Sequence, residues 1–204
     1  MTIRESSGGA RVDVALVGGG IMSATLGNLL AELMTGLSIH VFERLDGVAL
    51  ESSHTMNNAG TGHAANCEMN YTPQGPDGSV HIGKALSINA AFEVSLGFWA
   101  HLVEIGVLPE ARAFLHAVPH HAFVRGSDDV RFLAARHASM SAHPQFAGMR
   151  FSDDASQLAE WMPLVMGQRQ PGESLAATRV ERGTDVDFGR LTRDLLAGLE
   201  ARAD

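Results

Sequence analysis

The chain has 204 residues, of which 45% are hydrophobic, a formal charge of −8 and a single cysteine, Cys67. That length holds one or two domains with ample apolar content for a core. The acidic balance offers no basic stripe to neutralise phosphates and argues against nucleic acid as a partner. One cysteine excludes an internal disulfide framework and fits a reducing cytoplasm.

Met1 to Arg11 is polar and lacks the apolar stretch of a secretion signal. Val12 to Val17 is a short, apolar, β-branched run suited to a strand buried on both faces. Gly18-Gly19-Gly20 then turns the chain, and Ile21 to Met34 reads as a helix with Leu26, Leu29, Leu30 and Leu33 on one face. Gly18 permits the tight turn, and Gly20, without a Cβ, lets the backbone approach a pyrophosphate at the helix N-terminus. Ser23 stands where the third fingerprint glycine is usual, small enough for close helix–strand packing. Leu37 to Phe42 is the next strand, and Glu43 follows it, 23 residues beyond Gly20. An acid about 20 residues on is what holds a ribose hydroxyl in this arrangement. Strand, glycine turn, helix, strand and acid together predict a site for an adenine dinucleotide.

Glu51 to His63 is a run of small polar residues and glycines that cannot build a core. A nicotinamide-binding domain continues into a helix soon after its acid, whereas this long excursion suits a second contact along a larger cofactor. Its hydroxyls and amides would reach phosphate, ribityl chain and flavin ring, which favours FAD over NAD.

Tyr71 to Gly83 reads as a loop, and Lys84 to Ile105 as a long helix with Leu86, Ala90, Val94, Phe98 and Leu102 on one face, ended by Gly106. Plain core packing accounts for this stripe better than an aromatic lid. No apolar run approaches the roughly 20 residues of a bilayer span, so membrane contact is expected to be peripheral. Phe114 to Arg125 reads as strands, Asp128 to Ser141 as a helix, Met149 to Phe151 as a strand, Ala155 to Trp161 as a helix, Leu175 to Val180 as a strand and Phe188 to Ala203 as a helix. Asp128-Asp129 and Asp153-Asp154 are expected as helix-start charges rather than catalytic carboxylates. His63 and Cys67 are four apart, but a metal site needs about four partners, and none is assigned.

Phe42-Glu43-Arg44-Leu45-Asp46, Ala49-Leu50-Glu51-Ser52-Ser53, Asn57-Asn58-Ala59-Gly60-Thr61-Gly62-His63 and Glu68-Met69-Asn70-Tyr71-Thr72-Pro73 carry a more specific pattern. Lys84 to Asn89, Phe98 to Ala100, Val118 to His120 and Gly183 to Gly189 continue it in order. The chain resembles the malate:quinone oxidoreductase family over nearly its whole length, most distinctively at Asn57 to His63. The resemblance implies a flavoprotein of the D-amino-acid-oxidase type, of which this would be the N-terminal part. The fold class is then α/β: a Rossmann-like FAD-binding βαβ domain, 1–111, followed by the start of a mixed-sheet α+β substrate domain, 112–204, with the returning helix. It further implies oxidation of (S)-malate to oxaloacetate with electrons passed to a membrane quinone, in the tricarboxylic acid cycle, at the inner face of the cell membrane. Cofactor contacts are expected from Gly18, Gly20, Ser23, Glu43, Arg44, Ser52, Ser53, Asn58, Gly60, Thr61 and Gly62. His63 and His120 are candidates beside flavin or substrate, with a purely structural histidine the competing reading for each. Neither a general base nor a pair of carboxylate-binding arginines stands out. Another flavin-dependent 2-hydroxyacid dehydrogenase, a simple NAD-dependent dehydrogenase and a non-catalytic fragment remain as alternatives.

Overall fold

The computed structural model describes residues 12–167, 169–170 and 172–202, so Met1 to Arg11 and Ala203 lie outside the described residues. The strands are Val14–Val17 (β1), Ile39–Phe42 (β2), Leu115–Ala117 (β3), His120–Arg125 (β4), Arg150–Ser152 (β5), Leu175–Val180 (β6) and Thr184–Val186 (β7). The helices are Ile21–Leu33 (α1), Gly83–Glu104 (α2), Ser127–Ser141 (α3), Ala155–Trp161 (α4), Pro163–Met166 (α5) and Phe188–Ala201 (α6). Strand β7 and helix α5 are additions to the elements expected from the sequence; both are too short to carry a periodic signal.

The chain divides into two compact units. The first comprises Met1–Gly60, Trp99–Leu115 and Val186–Asp204, the second Thr61–Phe98 and His116–Asp185. A single boundary near Arg112, with parts 1–111 and 112–204, was the expectation. The observed division is discontinuous instead, because α6 packs on α1, which precedes it by more than 150 residues.

In the first unit β1 and β2 pair in parallel, Val14 opposite Ile39 and Val17 opposite Phe42. Parallel neighbours need a crossover, here α1. Successive strand residues point to opposite faces, so Leu16 faces one side and Ala15 and Val17 the other. Leu16 is buried, whereas Val17 is 85% and Phe42 53% exposed. Burial of β1 on both faces, expected from its composition, is therefore not observed. The two helices near Leu16 account for the difference. A Cβ on Gly27 of α1 would meet Leu199 Cδ2 of α6 at 2.7 Å and Leu16 Cδ1 at 3.3 Å, so the glycine lets both leucine side chains fit against α1 without shifting. Asn28 locks the helix pair by donating to Ala24 O and Leu195 O, both at 2.9 Å. Leu191 and Leu195 are fully buried, each contributing about 1.5–3 kcal/mol relative to exposure.

The second unit centres on an antiparallel sheet of order β4-β6-β5. One face, with Ala122, Val124 and Ala176, packs on Leu133 of α3; the other, with Phe123, Leu175 and Ala177, packs on Leu158 and Trp161 of α4. Asp128 and Asp129 lie in the first turn of α3, and Asp154 caps α4 through Gln157 N–H at 2.9 Å. The loop before α2 is tied down by Arg136 of α3, fully buried, which donates to Thr72 Oγ1 at 3.0 Å and to the carbonyls of Ala65 and Asn66 at 3.2 and 3.1 Å.

Helix α2 corrects two expectations. Its buried stripe is Ala85, Asn89, Phe92, Trp99 and Leu102, while Val94 is 73% exposed. A strict four-residue spacing drifts around a helix of 3.6 residues per turn, so the expected stripe turns out to solvent midway. The helix also has 22 residues and a mean hydropathy of 1.2, long and apolar enough to cross a membrane by length and composition alone. Its buried aromatic Trp99 makes an edge-to-face contact with Phe114 at 6.0 Å, as a packed core residue does.

Candidate functional site

The site forms where β1 ends. Gly18 has φ +94°, a conformation that side chains rarely adopt, and its N–H donates to Phe42 O at 2.7 Å, fastening the turn to the end of β2. A Cβ on Gly19 would meet Val48 Cγ1 at 2.8 Å and Glu43 Oε2 at 3.1 Å. That close approach lets the Gly19 N–H donate to Glu43 Oε2 at 2.6 Å, while Glu43 Oε1 accepts from Leu45 N–H at 2.9 Å. The hydrogen bonds from Leu45 and Gly19 hold the Glu43 carboxyl below the usual carboxylate value. A carboxylate has about four acceptor positions, so capacity remains beside these backbone bonds for a ligand hydroxyl.

Gly20 is the N-cap of α1 and has no side chain to cap it. Ser53 Oγ takes that place, accepting from Ile21 N–H at 2.9 Å. The first turn of α1 carries no acidic side chain, so the positive end of the helix dipole is left for an external anion. A cleft of about 260 Å³ lies over this turn, lined by Gly18, Gly19, Gly20, Ser23, Glu43, Ser52 and Ser53 among others. It is smaller than the roughly 300–1,000 Å³ of pockets that enclose a drug-sized ligand. A cleft of this size takes in part of a dinucleotide and not the whole.

Six of the residues expected from the sequence thus line one cleft. The others serve differently. Arg44 is not in the lining; its guanidinium pairs with Glu51 at 3.1 Å in solvent. Asn58 shapes the loop, donating to Ser52 O at 3.0 Å and His54 O at 2.8 Å and accepting from Gly60 N–H at 3.0 Å. Gly60 has φ +64° and accepts from Val186 N–H at 2.6 Å. Thr61 and Gly62 belong to the second unit, where Thr61 bridges to Asp185 and Gly62 N–H donates to Thr184 O at 2.9 Å. A Cβ on Gly62 would lie 1.9 Å from Thr184 Oγ1, which explains this glycine by packing alone.

His63 is exposed and pairs with Glu68 through Nδ1 at 3.1 Å. No helix runs from His63 to Cys67, so their spacing does not place them on one helical face, and burial pushes the Cys67 thiol up to about 11. Among the described residues no group of three or more His, Cys, Asp or Glu side chains converges to hold a metal. His120 sits in β4 with Nε2 3.0 Å from Thr184 O and 3.2 Å from Thr184 N, a structural bond whose direction follows the ring tautomer.

Sequence reasoning missed four residues around the cleft. Val48 packs against Gly19, and Ala49, with φ 58°, donates to Gly19 O at 2.9 Å. Thr55 Oγ1 donates to Asp187 Oδ1 at 2.7 Å, 132 residues away. Asp187 lay within the family-like Gly183 to Gly189 string, the one signal that marked it.

The sequence profile of malate:quinone oxidoreductase (Mqo) matches residues 10–204. A "Probable malate:quinone oxidoreductase" of Synechococcus sp. (strain RCC307) is 61% identical over 190 residues, which are 93% of this chain and 40% of that protein. One of Rhodopseudomonas palustris (strain ATCC BAA-98 / CGA009) is 54% identical over 191 residues, 94% of this chain and 38% of that protein. Among solved structures, glycine oxidase from Geobacillus kaustophilus matches with a TM-score of 0.61 at 18% identity, covering 93% of this chain and 44% of that one. L-alpha-glycerophosphate oxidase from Mycoplasma pneumoniae with FAD bound matches with a TM-score of 0.53 at 13% identity, covering 93% and 42%. These structural likenesses show a shared fold of mixed α/β type. The chain spans about two fifths of the length of the curated relatives it matches. Over that span, the chain belongs to the malate:quinone oxidoreductase family.

Proposed function

We propose that this chain holds FAD at the Gly18–Gly20 cleft as the cofactor-binding part of an enzyme that oxidises (S)-malate to oxaloacetate and delivers the electrons to a membrane quinone. The observation that carries the cofactor reading is Glu43, anchored on the glycine turn by backbone bonds from Gly19 and Leu45 with acceptor capacity left on its carboxylate. That capacity suits a ribose hydroxyl, and a fixed carboxylate repels a 2′-phosphate. The acid-free first turn of α1 suits the pyrophosphate. Ser52 and Ser53 border the same cleft, and Asn58 and Gly60 hold their loop in shape. The family resemblance extends the cofactor contacts to Arg44, Thr61 and Gly62.

Bound FAD supplies the hydride acceptor for this chemistry. Malate oxidation also needs a general base at the hydroxyl and cationic partners for two carboxylates. The charged side chains lining the cleft are Glu43 and Glu51, so neither requirement is met there. This favours a second reading, cofactor binding without turnover by this chain alone. Electron delivery to a quinone implies a cytoplasmic protein in peripheral contact with the inner face of the cell membrane, acting in the tricarboxylic acid cycle.

The test is a visible absorption spectrum of the purified chain after incubation with FAD and removal of free cofactor. Retained flavin bands near ~450 nm support the site, and bleaching on addition of malate separates turnover from binding alone. Folded protein that retains no flavin overturns the cofactor reading.

A further inference from the structure

We propose that Thr55 and Asp187 form a latch that positions the Ser52–Ser53 loop at the N-terminus of α1, with Gly189 providing the space for it. The inference rests on the FAD reading for its consequence but on unit-one geometry for its substance. Residues 50–59 contain no helix or strand, so Ser53 Oγ is held at Ile21 N–H by bonds within the loop, such as those of Asn58, and by ties from the loop to its surroundings. The ends are tied by Ala49 N–H to Gly19 O and by Val186 N–H to Gly60 O. Between them, besides Ser53 itself, Thr55 Oγ1 ties the loop to the start of α6, donating to Asp187 Oδ1 at 2.7 Å.

Asp187 is also the N-cap of α6, and the same Oδ1 accepts from Arg190 N–H at 2.8 Å. One oxygen therefore serves both the helix start and the loop. Gly189 makes the approach possible: a Cβ there would lie 2.5 Å from Thr55 Oγ1 and 2.9 Å from Thr55 N, and the backbone atom cannot swing aside. Helix α6 is in turn held to α1 by Asn28 Nδ2 donating to Leu195 O. The contacts close a circuit from the α1 N-terminus through Ser53, Thr55 and Asp187 to α6 and back to α1. Thr55 and Asp187 are positioning residues, since neither lines the cleft. Burial raises the Asp187 carboxyl, but the bonds from Arg190 N–H and the Thr55 hydroxyl and the charge of Arg193 outweigh it and keep it low and ionised.

The experiment uses the 204-residue chain with Thr55→Val, which removes the hydroxyl and leaves the Asp187 cap intact, and Thr55→Ser, which restores it. FAD affinity is read by flavin fluorescence, and the exchange of the Ile21 and Ser53 amides by NMR without cofactor. A hydrogen bond to a charged group is worth enough for about a tenfold effect. Thr55→Val is expected to weaken FAD binding and speed exchange of the Ile21 amide by about that factor, with little change in melting temperature, and Thr55→Ser to recover both. Unchanged FAD affinity and unchanged Ile21 protection in Thr55→Val overturn the latch. A lower melting temperature with site properties intact also overturns it, showing Thr55 to be merely structural. If the unaltered chain binds no FAD, that failure belongs to the cofactor reading. The exchange of Ile21 then decides the latch: faster in Thr55→Val and restored in Thr55→Ser supports it, and no difference overturns it.

Discussion

The Ser53 hydroxyl accepts a hydrogen bond from the Ile21 amide at 2.9 Å, across 32 residues of sequence. It caps α1 in place of Gly20, where a Cβ would come within 3.2 Å of that hydroxyl and press on the cap. The Ser53 proton stays available to donate to an anion held at the same helix end. On the cofactor reading, the loop therefore adds a hydroxyl donor to the helix end that would meet the phosphate.

Ser53→Ala removes this cap. Loss of an N-cap hydroxyl costs about 0.5–2 kcal/mol, so urea unfolding should show a loss in that range. FAD affinity should fall by more than the stability change explains, because the hydroxyl is also lost to the phosphate. Equal affinity in the variant would remove Ser53 from the site.

Glu43→Gln keeps one acceptor oxygen but replaces the other with an amide nitrogen, so one of the bonds from Gly19 N–H and Leu45 N–H is lost. Binding of FAD should weaken about tenfold or more, as expected when a hydrogen bond to a charged group is lost. FMN, which has no adenosine ribose, should bind both forms alike. Parallel titrations of the two flavins check this, and equal losses for both would contradict a ribose role for Glu43.

Arg136 is fully buried, its hydrogen-bond partners are neutral, and burial lowers its pKa from the ordinary arginine value. Arg136→Met strands the carbonyls of Ala65 and Asn66, while the Thr72 hydroxyl keeps its bond to Met69 O. Each unsatisfied buried polar group costs about 1–3 kcal/mol, so a loss of about 3 kcal/mol in the stability of the second unit is expected by urea denaturation. Arg136→Lys should recover only part, because a single ammonium cannot reproduce the planar fork that spans Thr72, Ala65 and Asn66.

Acid should destabilise the first unit. Glu32 is held below its ordinary pKa by the hydrogen bonds from His101, at 2.7 Å, and from Arg202. Glu43 and Asp187 are likewise lowered. A carboxyl depressed on folding contributes stability that is complete above its unfolded pKa, about 4, and is lost as pH falls through the folded value. Melting temperature should therefore hold steady from neutral pH to about 5 and decline below about 4. Glu32→Gln should show a shallower decline; an identical acid profile would show that the Glu32 cluster does not couple to folding.

The βαβ turn was legible because its signals are local. A strand run, a glycine turn, a helix and an acid at fixed distance follow from backbone geometry, and the stretch from Val14 to Glu43 is enough to place Gly18, Gly20 and Glu43 around one cleft. The contacts of Arg44, Thr61 and Gly62 were less legible. Their motif identifies a family, but hydrogen bonds to Glu51, Asp185 and Thr184 decide where each residue goes. The stripe of α2 failed for a narrower reason: a four-residue spacing matches the helical period for only about two turns before it drifts off the buried side.

The sequence by itself determined the dinucleotide turn, the run of most helices and strands, and the family. Each depends on residue type at short spacing. The tertiary structure alone decided that α6 returns to α1, that the chain divides discontinuously, and that Asp187 holds Thr55 beside the Ser52–Ser53 loop. Those outcomes depend on shape complementarity between distant segments, such as Gly27 against Leu199 and Gly189 against Thr55. A glycine records that something must come close; only the folded chain shows what does.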